Sequence, residues 1–126
     1  MRALIVDDSS FIRNYLERML RTLDIQSVQA VDGCAALSQL STNTDIDFVL
    51  LDINMPCMNG LECARAIRAE ERYNNIPVMM ITTEADMSFV RSALNFGADE
   101  FLMKPFTEEG LREKLILMGI VPAYSN

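Results

Sequence analysis

The 126-residue chain has no histidine, and that absence removes much of the usual catalytic repertoire. A Ser-His-Asp or Cys-His relay needs an imidazole, and so does a His-ligated metal. Cysteine is scarce. Cys34, Cys57 and Cys63 are odd in number and follow no disulfide or zinc spacing, which predicts free thiols in a reducing compartment. No apolar run approaches the length of a membrane span, and the N-terminus lacks the basic, apolar and small-residue regions of a secretory signal. Lys and Arg number 11 against 18 Asp and Glu, a net charge of −7, and they form no basic run. A duplex binder presents a basic face, so direct nucleic-acid binding is not expected. There is no internal repeat, low-complexity stretch or internal linker. The expectation is one cytoplasmic domain without membrane insertion. Its chemistry must run on carboxylates, hydroxyls, lysine or a hard metal.

What is present is a core-forming chain: half of the residues are hydrophobic and 23% are charged, enough for a core that needs no covalent staples. Five short apolar runs stand out. Leu4-Ile5-Val6 runs into Asp7-Asp8, Phe48-Val49-Leu50-Leu51 into Asp52, Val78-Met79-Met80-Ile81 into Thr82, and Phe101-Leu102-Met103 into Lys104. The fifth, Val28-Gln29-Ala30-Val31, ends on Asp32 beside a turn glycine and carries no such residue. Buried parallel strands that finish at one sheet edge bring their last residues together there.

Segments of helical spacing separate these runs. Ile12, Leu16, Met19, Leu20 and Leu23 form a stripe, with Ser9 or Ser10 as the cap. A weaker helix starts near Gly33 with Ala36, Leu37 and Leu40, and ends in the polar stretch 41–44. A third starts near Gly60 with Leu61, Ala64 and Ile67, and stops before Asn74-Asn75-Ile76-Pro77. A fourth carries Val90, Ala93 and Leu94, with Gly97 suited to its C′ position. A fifth follows Pro105, capped by Thr107, with Leu111, Leu115 and Met118 inward. Strict β-α alternation predicts an α/β fold: a doubly wound, five-stranded parallel sheet with five helices covering both faces. Most of the nine methionines read as core fillers, with Met87, Phe89 and Val90 grouped at the start of the fourth helix.

The residues at the strand ends make a hard oxygen site. Like charges about 4 Å apart repel by roughly 4 kcal/mol at an effective dielectric near 20. Asp7, Asp8 and Asp52 therefore need a proton, a lysine or a cation. Mg2+ suits such a site, since it accepts a few carboxylates and keeps waters that phosphate oxygens can replace. Asp52 can attack phosphorus to form an acyl phosphate, with Lys104 pairing a phosphoryl oxygen and Thr82 donating its hydroxyl. Pro105 behind Lys104 is positioned for a cis bond.

In this order and spacing, Asp7-Asp8-Ser9-Ser10 after strand one, Asp52-Ile53-Asn54-Met55-Pro56 with Gly60, Thr82 after strand four and Lys104-Pro105-Phe106 resemble a known family. The chain resembles the receiver domain of two-component response regulators, most closely the single-domain chemotaxis regulators of the CheY type. The resemblance runs from about Ala3 to Leu117. It implies a receiver domain over 1–126, with its core at about 3–118 and a short tail at 119–126. It implies the flavodoxin-like strand order 2-1-3-4-5, which the apolar pattern alone does not give. It further implies that a histidine kinase donates a phosphoryl group to Asp52. It implies that Mg2+ is held by Asp8, Asp52 and the Asn54 backbone carbonyl, with Asp7 helping through water. It also implies that Thr82 and Phe101 form a switch that reshapes the face of helix four, strand five and helix five; chemotaxis regulators usually carry tyrosine where this chain has Phe101. The resemblance further implies that Asn54 and Glu84, two residues beyond Asp52 and Thr82, tune dephosphorylation and engagement by a phosphatase.

The resulting expectation is a signalling switch that catalyses only its own phosphorylation and dephosphorylation. It acts through a protein partner, such as the flagellar motor or another chemotaxis protein. The alternatives are a phosphorelay intermediate receiver and a Mg2+-dependent aspartyl-phosphate phosphohydrolase. The latter calls for an Asp-x-Asp pair and usually a cap domain, whereas the first-strand acids here are adjacent. A flavin or nucleotide carrier would want a Gly- or Ser/Thr-rich phosphate loop after strand one, and Asp7-Asp8-Ser9-Ser10 is too acidic for that. A pure interaction domain would leave the convergence of acids, hydroxyl and lysine without a purpose.

Overall fold

A computed structural model describes residues 1–56, 58–95 and 97–123, and for residues 84, 89, 90, 92 and 93 the backbone alone. Its elements alternate: β1 (Arg2–Val6), α1 (Ser10–Thr22), β2 (Gln26–Ala30), α2 (Gly33–Thr42), β3 (Phe48–Asp52), α3 (Gly60–Arg68), β4 (Val78–Thr82), α4 (Met87–Asn95), β5 (Glu100–Met103) and α5 (Glu108–Leu117). Single 3₁₀ turns lie at Glu71–Tyr73 and Glu84–Asp86. All strand pairs are parallel, in the order β2-β1-β3-β4-β5. No helix among the described residues is long and apolar enough to cross a membrane.

Alternation along each strand splits the core into two layers. Leu4, Val6, Val49, Leu51, Val78 and Met80 face α2 and α3, where they meet Ala36, Leu40, Cys63, Ala64 and Ile67. Ala3, Ile5, Phe48, Leu50, Met79 and Ile81 face α1 and α5, where they meet Leu16, Met19, Leu20, Leu111 and Leu115. Every residue of β3 and β4 is buried. This coverage on both faces is why those strands read as continuous apolar runs.

Caps fix where the helices begin. Ser9 accepts from the Ile12 amide, Asn59 and Glu62 form a reciprocal capping box, and Thr107 accepts from the Gly110 amide. Three local expectations shift. Asp32 does not end strand two beside a turn: it caps α2 by accepting from the Ala35 amide at 2.8 Å, and Gly33 is the first helical residue. Val31 lies past β2 and is 50% exposed, because β2 is an edge strand with a polar face. Leu94, expected inward on the fourth helix, is exposed, while the side chains of Val90 and Ala93 lie outside the described residues. Gly97 has φ +107°, as its place after the helix requires. Of the cysteines, Cys34 is exposed and free and Cys63 buried and free, and Cys57 lies outside the described residues.

Candidate functional site

The sequence-predicted residues meet at the edge where the strands finish. β1 delivers Asp7 and Asp8, β3 ends on Asp52, β4 ends on Thr82, and Lys104 follows β5. Parallel pairing sets the levels: Asp52 lies opposite Ile81, and Thr82 opposite Met103. Asp7, Asp52 and Thr82 are buried, each 3% exposed or less, while Asp8 is open to solvent. A carboxylate oxygen from each of Asp7, Asp8 and Asp52 lies within 4.8 Å of the others.

Lys104 is the cation of this group. Its Nζ donates to Asp52 Oδ1 at 3.1 Å and stands 3.7 Å from Asp7 Oδ2. The Lys104–Pro105 bond is cis. One ammonium against three carboxylates leaves an excess of negative charge. Burial, then the neighbouring Asp7, push the Asp52 carboxyl up from 3.8 to about 6, against the lowering effect of Lys104 and a hydrogen bond from the Asn54 backbone. Burial likewise raises Asp7, although it accepts from the Ser9 amide at 2.8 Å. Asp7 Oδ2 is buried and has no hydrogen-bond partner among the described residues. An orphaned carboxylate oxygen inside an all-oxygen cluster fits a hard divalent cation better than it fits a salt bridge.

Thr82 keeps its hydroxyl on the Thr83 carbonyl, at 3.2 Å. Asn54 stands at the rim, exposed, and its Nδ2 donates to Asp86 Oδ2 at 2.6 Å. Phe101 is not part of the acid cluster. It is half-buried against the layer that contains α2 and α3, with the Lys114 ammonium 4.4 Å from its ring centroid. The Glu84 side chain lies outside the described residues, as does that of Phe89 and Val90. Met87 is partly buried against the same layer as Phe101.

Several residues around the site carry no signal in the sequence. Arg13 donates to the Asp7 carbonyl at 2.7 Å and to Gln29 Oε1 at 2.9 Å, tying α1 and β2 to the first acid. Asp86 links Asn54 to Thr83. Gly60 does carry a signal, as a helix start and as part of the motif after Asp52, and a Cβ there would lie 2.5 Å from the Asp52 carbonyl oxygen. Only glycine lets α3 begin so close behind the end of β3.

Comparison with known proteins agrees with this geometry. The family model for the response regulator receiver domain matches residues 3–116. The chemotaxis protein CheY1 of Helicobacter pylori is 40% identical over 121 residues, covering 94% of this chain and 98% of that protein. The chemotaxis protein CheY of Pseudomonas aeruginosa is 40% identical over 116 residues, covering 91% and 93%. Among solved structures, the chemotaxis protein CheY4 of Vibrio cholerae superposes with a TM-score of 0.84 at 32% identity, covering 95% of this chain and 98% of that one. Spanning nearly the whole of these relatives and sharing their fold, the chain belongs to the family of response regulator receiver domains and is CheY-like within it.

Proposed function

We propose that the chain is a phosphorylation-dependent switch of a two-component chemotaxis system, with Asp52 as the phosphoacceptor. The observation that carries this reading is the approach of three carboxylates to within 4.8 Å beside a lysine bonded to Asp52. A histidine kinase is the donor. An Asp52 carboxylate oxygen attacks the phosphorus of its phosphohistidine, the P–N bond breaks, and the electron pair leaves on the imidazole. Asp52 has few degrees of freedom: it is buried at the end of β3 and held by Lys104, so it presents one fixed edge. Lys104 neutralises a phosphoryl oxygen as charge builds, in a setting where burial strengthens the attraction.

Mg2+ would be held by Asp8, Asp52 and the Asn54 carbonyl, with Asp7 acting through water, and when bound it supplies the positive charge that the carboxylates lack. Thr82 exchanges its bond to the Thr83 carbonyl for one to the new phosphoryl group. Phe101 then turns inward, and the face of α4, β5 and α5 changes for a downstream protein. Asn54 and Glu84 tune the return by hydrolysis, unaided or with a phosphatase. The receiver unit spans a core at about 3–118 with residues 119–126 as a tail. It works in the cytoplasm on its own phosphorylation and hydrolysis only, and its targets are chemotaxis proteins such as those of the flagellar motor.

Intact-protein mass after mixing with magnesium and acetyl phosphate tests the reading. One phosphoryl group should be gained with magnesium and none when the metal is chelated before mixing, and Asp52→Asn should gain none. Labelling of Asp52→Asn at another aspartate to the wild-type level would move the phosphoacceptor elsewhere.

A further inference from the structure

We propose that Asp86 is a positioning residue of this site: its carboxylate straps Asn54 to Thr83 beside Asp52 and thereby slows hydrolysis of the aspartyl phosphate. The lifetime part of the proposal rests on the reading of Asp52 as phosphoacceptor. Two donors converge on a single oxygen: Asn54 Nδ2 reaches Asp86 Oδ2 at 2.6 Å, and Thr83 Oγ1 reaches it at 2.9 Å. An ionised carboxylate only accepts hydrogen bonds, so the end of the Asn54 carboxamide that faces it must be the NH2 group. Hydrogen bonds to an ionised acceptor are the stronger kind.

The strap extends in both directions. The Asp86 amide donates to the Thr83 carbonyl at 3.0 Å, and that same carbonyl accepts the Thr82 hydroxyl at 3.2 Å. On the other side, Asn54 lies two residues beyond Asp52 on the loop that leaves β3. One chain of bonds therefore runs from Thr82 through Thr83 and Asp86 to Asn54, whose backbone continues directly from Asp52. It joins the loops that leave the adjacent strands β3 and β4. The family resemblance implies that Glu84 tunes dephosphorylation together with Asn54. Among the described side chains, Asn54 bonds Asp86, the last residue of the same 3₁₀ turn.

In hydrolysis a water oxygen attacks phosphorus. The bond from phosphorus to the Asp52 oxygen breaks, its electron pair returns to the carboxylate, inorganic phosphate leaves, and the proton of the water passes to solvent. The attacking water must be admitted and oriented beside Asp52. While Asp86 holds it at 2.6 Å, the Asn54 carboxamide is fixed in one orientation and cannot turn its second N–H or its oxygen to orient that water. Release of the strap frees the carboxamide and unties the two loops, and both changes speed hydrolysis.

The test compares wild type, Asp86→Ala, Asp86→Asn and Thr83→Val, each loaded with radiolabelled acetyl phosphate and magnesium, freed of donor, and followed for loss of label. Asp86→Ala should lose label about fivefold faster, the factor that roughly 1 kcal/mol confers. Asp86→Asn keeps an oxygen for both donors and should stay within about twofold of wild type. Thr83→Val should fall between them. An unchanged or longer lifetime in Asp86→Ala overturns the proposal. So does equal acceleration in Asp86→Ala and Asp86→Asn, which would assign the effect to charge alone.

A second readout needs no phosphorylation. The Asn54 side-chain NH2 resonances should exchange with solvent more slowly than those of other exposed asparagines, lose that protection in Asp86→Ala and keep it in Asp86→Asn. If wild type takes no label while Asn54 behaves in this way, the phosphoacceptor reading and the lifetime claim fall and the strap stands. If label is taken but Asn54 does not respond, the strap falls and the phosphoacceptor reading stands.

Discussion

At the end of the sheet where β4 and β5 begin, Arg68 donates to four acceptors: the carbonyls of Gly97, Tyr73 and Ile76 at 2.7–2.8 Å and Asp99 Oδ2 at 3.0 Å. Asp99 in turn accepts the Val78 amide at 2.8 Å. At the opposite end, where the same strands finish, one lysine faces Asp7 and Asp52, and a buried oxygen of Asp7 has no hydrogen-bond partner among the described residues. The Arg68 side chain is 17% exposed and that of Asp99 48% exposed at the first end, while Asp7 and Asp52 are buried at the second. The first satisfies its charge internally, joining the end of α3, a 3₁₀ turn and the starts of two strands. The second leaves its charge unsatisfied, as a site must if a ligand is to supply the missing partners. Stability is concentrated at one edge and binding capacity at the other.

The contrast can be broken from its satisfied side. Arg68→Met removes the donor shared by three carbonyls and Asp99, although Asp99 keeps the Val78 amide and the Tyr73 carbonyl keeps the Ile76 amide. It should lower unfolding free energy by about 2 kcal/mol. Urea denaturation should show the loss, while labelling by acetyl phosphate persists in the fraction that stays folded. A loss below about 0.5 kcal/mol would place Arg68 among ordinary surface residues.

A comparable effect comes from the junction behind the site. Gly60→Ala would put a methyl 2.5 Å from the Asp52 carbonyl oxygen, 2.7 Å from Ile53 Cα and 2.8 Å from Met80 Cε. Two of those neighbours are backbone, so the loop after β3 must shift, at a cost of about 1–3 kcal/mol. Phosphoryl uptake should fall more steeply than stability. Equal losses in both would deny the glycine any part in placing Asp52.

The smallest effect sharpens the comparison at β5. Lys114 lies over the Phe101 ring at 4.4 Å and pairs with Glu100 at 3.2 Å, with all the partners partly exposed. Lys114→Met should change stability by less than about 1 kcal/mol, as measured by circular dichroism in urea. A larger loss would make this contact part of the structural edge.

The pattern of strands was legible because β3 and β4 are buried along their whole length, so burial wrote itself into composition. β2 was blurred by its place at the edge, which admits Gln26, Ser27 and Gln29 and leaves Val31 outside. The 3₁₀ turns have no period long enough to detect. Asp7, Asp8, Asp52, Thr82 and Lys104 were legible as a group because parallel strands carry their last residues to one edge. Arg13, Arg68 and Asp86 were not. Their bonds to Gln29, Asp99 and Asn54 span 16, 31 and 32 residues, and a lone polar residue has no spacing to betray a partner that far away. Phe101 was named from resemblance alone, since nothing in its run of β5 separates a switching ring from a core one.

The two-edge contrast has a direct thermodynamic consequence at Asp52. Its folded pKa, about 6, lies above the unfolded 3.8, so the folded state binds the proton more tightly. The carboxylate therefore destabilises the metal-free protein fully above pH 6, and the penalty fades as pH falls toward 4. A shift of that size corresponds to about 3 kcal/mol. The measurement is urea unfolding of wild type and Asp52→Asn without metal, at pH 7.5 and at pH 4.5. Asp52→Asn should be the more stable protein at pH 7.5, by up to about 3 kcal/mol, with most of the gap gone at pH 4.5. A variant no more stable than wild type at pH 7.5, or a gap independent of pH, would contradict the picture of a site that withholds stability for its ligand.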